Sequence, residues 1–223
     1  MLALGLLLSG LLGLVASAGL EMREDGGGDP VFTEASHSGN GCPQGSATRI
    51  SGNWRSAKIR FEDFDGDTSE PRRRSENCAV HLTGKGAQPG YQVGLTEAEF
   101  WGDLSLRNGT TFTWFGTQFR SENAAITVGL LVPSECPLKL NQSGQDTASG
   151  QVSNTGGLLK TSFSADAATA NPVWSGCVGE DGNIPGILNY NIRGAILGGD
   201  GGSFKVAGAR LNFTWRKCLK TLE

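Results

Sequence analysis

The feature that most constrains this chain is its hydrophobic period. Ala57, Ile59 and Phe61 alternate with Lys58 and Arg60, Val80 and Leu82 flank His81, and Ile126, Val128, Leu130 and Val132 keep the same step of two. Near the C-terminus, Leu211, Phe213, Trp215 and Lys217 alternate with Asn212, Thr214 and Arg216. A period of two places one apolar face against a core in an extended chain. No segment carries the i, i+3, i+4, i+7 pattern over three turns, and the 34 glycines suit frequent turns better than helices. The prediction is an all-β fold: a disulfide-tied antiparallel β-sandwich, jelly-roll-like, with roughly ten or more strands.

Within TTFTWFGTQF (110–119), Phe112 and Trp114 point one way and Phe115 and Phe119 the other, so this strand is expected between two packed layers or beside a pocket. The polar segment LNQSGQDTASGQVSNTGG (140–157) reads as a long surface loop or a frayed hairpin.

The first eighteen residues carry no charged side chain, run apolar from Leu2 to Val15, and end in Ala16, Ser17 and Ala18, the small-x-small pattern of signal-peptidase cleavage. Residues 1–18 are therefore expected to be a signal peptide, although the basic residue that usually precedes the apolar run is missing, and a retained anchor is the alternative. Residues 19–40 are polar and glycine-rich and are expected to form a flexible arm, leaving 41–223 as a single domain. No other apolar run approaches the length of a membrane helix, so no membrane association is expected after cleavage. Localisation is then the secretory pathway or outside the cell. Five cysteines and the sequons at Asn108, Asn141 and Asn212 suit that compartment.

A net charge of -3 gives no reason to expect a nucleic-acid partner. The stretch EDFDGDTSEPRRRSENC (62–78) combines an acidic cluster, three arginines and a cysteine. Asp63, Asp65 and Asp67 copy the opening of an EF-hand loop, but Thr68 stands where that loop needs glycine and Arg74 where it needs a bidentate glutamate. The stretch reads instead as a surface loop with internal charge pairing. With two histidines, no C-x-x-C and no H-x-E, no metal or other cofactor is expected.

There is no G-x-S-x-G elbow, and His37 and His81 leave few Ser-His-Asp options. In TEAEFWGD, Glu97, Glu99 and Trp101 share one strand face, which suits a sugar platform, although neighbours on one strand rarely flank a glycosidic bond from opposite sides. The aromatics between Phe100 and Phe119 are dense enough to wall a small-molecule pocket.

Four cysteine neighbourhoods, GCPQGS (41–46), RRRSENC (72–78), VWSGC (173–177) and LNFTWRKC (211–218), together resemble the secreted fungal family catalogued as domain of unknown function number 4360. Its members show a Gly-Cys-Pro-x-Gly-Ser start, an Arg-x-Asn-Cys segment, a Trp-Ser-x-Cys segment and a closing Trp-x-Lys-Cys. The resemblance spans 41 to 218; Cys136 is additional, and Val178 stands where glycine often follows the third cysteine. The resemblance makes Cys42, Cys78, Cys177 and Cys218 the framework, and pairing Cys42 with Cys78 and Cys177 with Cys218 closes two loops of about 40 residues, each worth roughly 3 to 4 kcal/mol.

Proteins of this kind are also similar to cofactor-free natural-product cyclases, the hetero-Diels-Alderases that join a quinone methide to a terpene alkene. The resemblance matches no catalytic motif residue by residue; a cycloaddition needs two apolar small-molecule partners held in orientation and a donor to the carbonyl that gains charge. The candidates for these roles are Trp101, Trp114 and Phe115 as walls and His81, Tyr91, Arg120 or Tyr190 as donor. The alternatives are a non-catalytic secreted effector or cell-surface ligand binder, marked by aromatics on a flat face, and a glycan-active enzyme using Glu97 and Glu99. The sequence carries no signal of oligomeric state.

Overall fold

A computed structural model describes residues 30–121, 145–168 and 172–218. They form two antiparallel sheets packed face to face, so the predicted β-sandwich is what the chain adopts, with no α-helix among the described residues. The strands are β1 (Val31–Ser38), β2 (Arg49–Gly52), β3 (Ser56–Arg60), β4 (Asp65–Asp67), β5 (Ser75–Lys85), β6 (Tyr91–Leu106), β7 (Thr110–Ser121), β8 (Gln145–Asn154), β9 (Leu159–Ala168), β10 (Asn183–Leu197) and β11 (Gly202–Lys217). One sheet runs β1-β5-β10-β7-β8. The other runs β2-β3-β11-β6-β9, with β4 also on β11.

The inner faces follow the alternation directly. Val80 and Leu82 of β5, Ala57 and Ile59 of β3, and Leu211, Phe213 and Trp215 of β11 are all buried between the sheets. Fully buried Trp54 centres one end, with Phe32 edge-on at 5.4 Å and Phe213 at 5.2 Å. Its carbonyl accepts the indole N–H of Trp215 at 3.0 Å. At the other end Phe64, Phe204 and Phe112 form a chain of ring contacts. Large side chains buried in this way contribute roughly 1.5–3 kcal/mol each.

Three expectations are corrected here. Residues 31–38, placed in a flexible arm by their composition, form β1, paired antiparallel with β5 from Val31 opposite Lys85 to Ser38 opposite Ala79. Phe32 pins the strand by packing on Trp54, one apolar anchor that an average over the segment hides. Residues 145–154, expected as part of a surface loop or a frayed hairpin, form β8, an edge strand paired antiparallel with β7 over ten positions, because backbone pairing at a sheet edge asks little of side-chain apolarity. The stretch 62–78 is also not all in water. Phe64 is fully buried, Asp65–Asp67 is β4, and Glu76 is 5% exposed. Charge pairing within the stretch does form: Arg73 Nη2 lies 2.6 Å from Asp65 Oδ2.

The bridges Cys42–Cys78 and Cys177–Cys218 are formed, at sequence separations of 36 and 41, as the cysteine neighbourhoods imply. The first ties the turn after β1 to β5, and the second ties the segment before β10 to the end of β11. Cys136, Asn141, residues 1–29 with the expected signal peptide, and the alternating run 126–132 lie outside the described residues.

Candidate functional site

The outer face of the β2-β3-β11-β6-β9 sheet carries the densest set of polar side chains around an aromatic ring. Strand β6 supplies Glu97, Glu99, Trp101, Asp103 and Ser105 in steps of two, as the sequence predicts for its acids and Trp101. Register brings the partners: Asn212 opposite Glu97, Arg210 opposite Glu99, Gly208 opposite Trp101 and Lys205 opposite Asp103 on β11, with Asp166, Ser164 and Ser162 on β9.

Trp101 is half-buried because its indole lies across Gly208, where a Cβ would fall 2.7 Å from Cε2. Glycine in a strand interior commonly marks such a close approach. The ring therefore lies along the sheet with its other face outward. Arg210 Nη1 donates to Glu99 Oε2 at 2.8 Å, and Ser164 Oγ donates to Glu99 Oε1 at 3.3 Å. Asn212 Nδ2 donates to Glu97 Oε2 at 2.9 Å while its Oδ1 accepts from Ser56 Oγ at 2.9 Å.

Beyond Trp101 the same face deepens into an open groove of about 660 Å³, whose polar lining includes Asp65, Asp67, Asp103, Lys160, Ser162 and Lys205. Ser162 Oγ donates to Asp103 Oδ1 at 2.8 Å. The Asp67 carboxyl is held below the usual range, chiefly by accepting the Ser69 amide at 2.7 Å. Carboxylates (Asp65, Asp67, Asp103) and ammonium groups (Lys160, Lys205) share the lining, so the groove offers both hydrogen-bond acceptors and donors. Among the described residues, no group of three or more His, Cys, Asp or Glu is arranged to hold a metal ion.

The three aromatics expected to wall one pocket are separated instead. Trp101 is on this outer face, Trp114 is 9% exposed between the sheets against Phe100 at 5.4 Å, and Phe115 is 41% exposed on the outer face of the other sheet. Adjacent strand residues such as Trp114 and Phe115 point to opposite faces.

The four donor candidates are likewise dispersed. His81 is on the outer face of β5, Tyr190 is buried and stacked on Phe100 at 6.0 Å, and Tyr91 is buried near the Cys177–Cys218 bridge. Arg120 is turned into the interior, where Nη1 and Nη2 donate to the carbonyls of Pro185 and Val93 at 3.2 and 3.3 Å. Burial pulls its pKa down to about 10. It braces one end of the sandwich, facing the Trp54 ring at 5.8 Å.

Gly208, Arg210, Lys205 and Ser164 escaped the sequence reading. The one available signal was glycine at 208 inside an otherwise alternating strand.

No curated protein matches the chain. A solved structure described as TmCBM61 in complex with β-1,4-galactotriose aligns over 84% of this chain and 91% of its own, at 12% identity and a TM-score of 0.25. The family model described as a domain of unknown function, DUF4360, matches residues 29–218, and with the four cysteine neighbourhoods inside that span the chain belongs to this family.

Proposed function

We propose that this is a secreted binding protein that takes a neutral carbohydrate chain on the outer face of the β2-β3-β11-β6-β9 sheet. The observation that carries the reading is Trp101 laid over Gly208 at the head of a polar groove. A pyranose ring has one face of C–H groups and a rim of hydroxyls. The first stacks on an indole, and the second exchanges hydrogen bonds with fixed carboxylates, amides and ammonium groups. Here the stacking surface is Trp101, and the rim meets Asp103, Ser162, Lys160 and Lys205.

Glu97 and Glu99 serve the platform rather than hydrolysis. They sit on one strand, each engaged by a β11 side chain, and do not face each other across a cleft. The cycloaddition reading requires two apolar partners enclosed by Trp101, Trp114 and Phe115, which occupy three different layers. Secretion agrees with two disulfides, which persist in oxidising compartments, and with the apolar N-terminus.

The test is a titration of the secreted chain against a panel of neutral oligosaccharides, followed by tryptophan fluorescence. The expected result is a saturable change with one class of oligosaccharide, abolished in Trp101→Ala while the melting transition is retained. Equal binding by wild type and Trp101→Ala, or binding by neither, overturns the reading.

A further inference from the structure

On the opposite face of the sandwich, three polar side chains from adjacent strands form one hydrogen-bonded line. Ser38 ends β1, His81 lies on β5 and Asn189 on β10. Ser38 Oγ is 3.1 Å from His81 Nε2, and His81 Nδ1 is 2.5 Å from Asn189 Oδ1. The register explains the line: Asn189 is directly opposite His81, and Ser38, opposite Ala79, is its diagonal neighbour on the other side.

The direction of every hydrogen bond follows from one anchor. Asn189 Nδ2 donates to the Ile187 carbonyl at 3.3 Å, which fixes the amide with Oδ1 toward His81. An amide oxygen only accepts, so Nδ1 carries the imidazole hydrogen and Nε2 presents a lone pair. The Ser38 hydroxyl then donates to Nε2. Asn189 is 6% exposed while Ser38 and His81 are half-buried, so the orienting group is shielded and the reacting end is open. The Cys42–Cys78 bridge closes the turn after Ser38 and so restrains the backbone that carries the hydroxyl.

Two exposed aromatic rings lie on the same face, separated along β7 by Thr117. Phe119, opposite Asn189 on β7, is 39% exposed, and Phe115 follows on the same face. In the adjacent row Ala79 stands between Ser38 and Asn191.

We propose that Ser38, His81 and Asn189 are the nucleophile, base and positioning residue of a hydrolytic site for esters whose acyl or aryl group rests on Phe119. Ser38 Oγ attacks the ester carbonyl carbon while its proton passes to His81 Nε2, and the carbonyl π pair moves to oxygen. Collapse breaks the bond to the leaving alcohol, which takes the proton from Nε2. Water then gives a proton to Nε2 and adds to the acyl carbon, and Ser38 departs with that proton. The balance is ester plus water to acid plus alcohol. Asn189 remains neutral and keeps the Nδ1 tautomer. Asparagine stabilises an imidazolium less than aspartate does, so activated esters are the preferred class. The site shares no residue with the Trp101 face and stands independently of the carbohydrate reading.

Two measurements on the full secreted chain test it: hydrolysis of p-nitrophenyl acetate and butyrate, and intact-mass and peptide mapping after a fluorophosphonate probe. The expected result is one phosphonate on Ser38, absent from Ser38→Ala. His81→Gln lowers kcat by about a hundredfold or more, the usual contribution of a general base. Asn189→Ala lowers kcat with little change in KM, and Asn189→Asp restores it, which a merely structural amide would not produce. A probe adduct on Ser36 or elsewhere, no adduct, or equal hydrolysis by wild type and Ser38→Ala overturns the proposal.

Discussion

Trp101 and Gly208 face one another across the β6–β11 pair, and the absence of a side chain at 208 is what lets the indole lie along the sheet. A methyl group at 208 would fall 2.7 Å from Trp101 Cε2 and 2.9 Å from the Ile59 carbonyl oxygen. Gly208→Ala therefore displaces the ring and also presses on the β3 backbone at Ile59, so its melting transition is read beside its affinity. A stacking contact contributes about 0.5–1.5 kcal/mol beyond its buried area, so oligosaccharide affinity is expected to fall by a factor of about 2 to 13. Titration calorimetry of Gly208→Ala beside Trp101→Ala checks this, and an unchanged affinity in Gly208→Ala would separate ring orientation from binding.

Trp114 and Phe115 are sequence neighbours with opposite fates. Trp114 packs between the sheets against Phe100, and Gly150 leaves room for its indole. Trp114→Ala should cost about 3–5 kcal/mol in urea unfolding, the usual penalty for emptying a large aromatic site. Phe115→Ala, on an exposed surface, should stay within about 0.5 kcal/mol of wild type. Similar losses for both would mean that the outer face of that sheet is covered in solution.

That contrast also marks what was legible in the sequence. The alternation around Ile59, Leu82 and Phe213 is enough to name the fold class and the inner faces, because a period of two is local and unambiguous. The family motifs mark the four framework cysteines, and of their three possible pairings the one with two loops of about 40 residues is the one formed. The sites were not legible, because each is assembled by register. Trp101 meets Gly208 from a strand about a hundred positions away, and Ser38 meets His81 only because β1 pairs with β5. Treating Trp114 and Phe115 as one pocket ignored the period that had already assigned them to opposite faces. The polar, glycine-rich average over 19–40 masks β1 and with it Ser38, although Phe32 anchors that strand on Trp54.

The sequons can be ranked by what surrounds their amides. Asn108 is exposed in the tight turn between β6 and β7, where Gly109 takes the left-handed conformation at φ 71°. Asn212 lies within β11, its amide bound to Glu97 and Ser56 on the Trp101 face. A glycan at Asn212 would cover that face, whereas one at Asn108 projects from the end of the sandwich. Chain secreted from a eukaryotic host should carry glycan at Asn108 and little at Asn212, read by deamidation mapping after enzymatic release. High occupancy at Asn212 together with intact oligosaccharide binding would count against the Trp101 face.

Glu76 gives a stability-versus-pH test with a definite sign. It is 5% exposed on the inner face of β5, its Oε2 has no hydrogen-bond partner among the described residues, and burial pushes its carboxyl above the ordinary glutamate range, partly offset by Arg73. The folded state thus binds the Glu76 proton more tightly than the unfolded chain does. Below the unfolded value, about 4.3, both states hold the proton and the group costs nothing in ionisation; as pH rises through the folded value, the penalty is imposed in full. Asp67 acts in the opposite sense, since its depressed value adds stability that is lost in acid, so the wild-type profile combines both. The difference between Glu76→Gln and wild type isolates the first. Glu76→Gln should be the more stable protein at neutral pH, with an advantage that shrinks as pH falls toward 4, read from urea midpoints at a series of pH values. A difference independent of pH would mean that the Glu76 carboxylate is solvated in the folded protein.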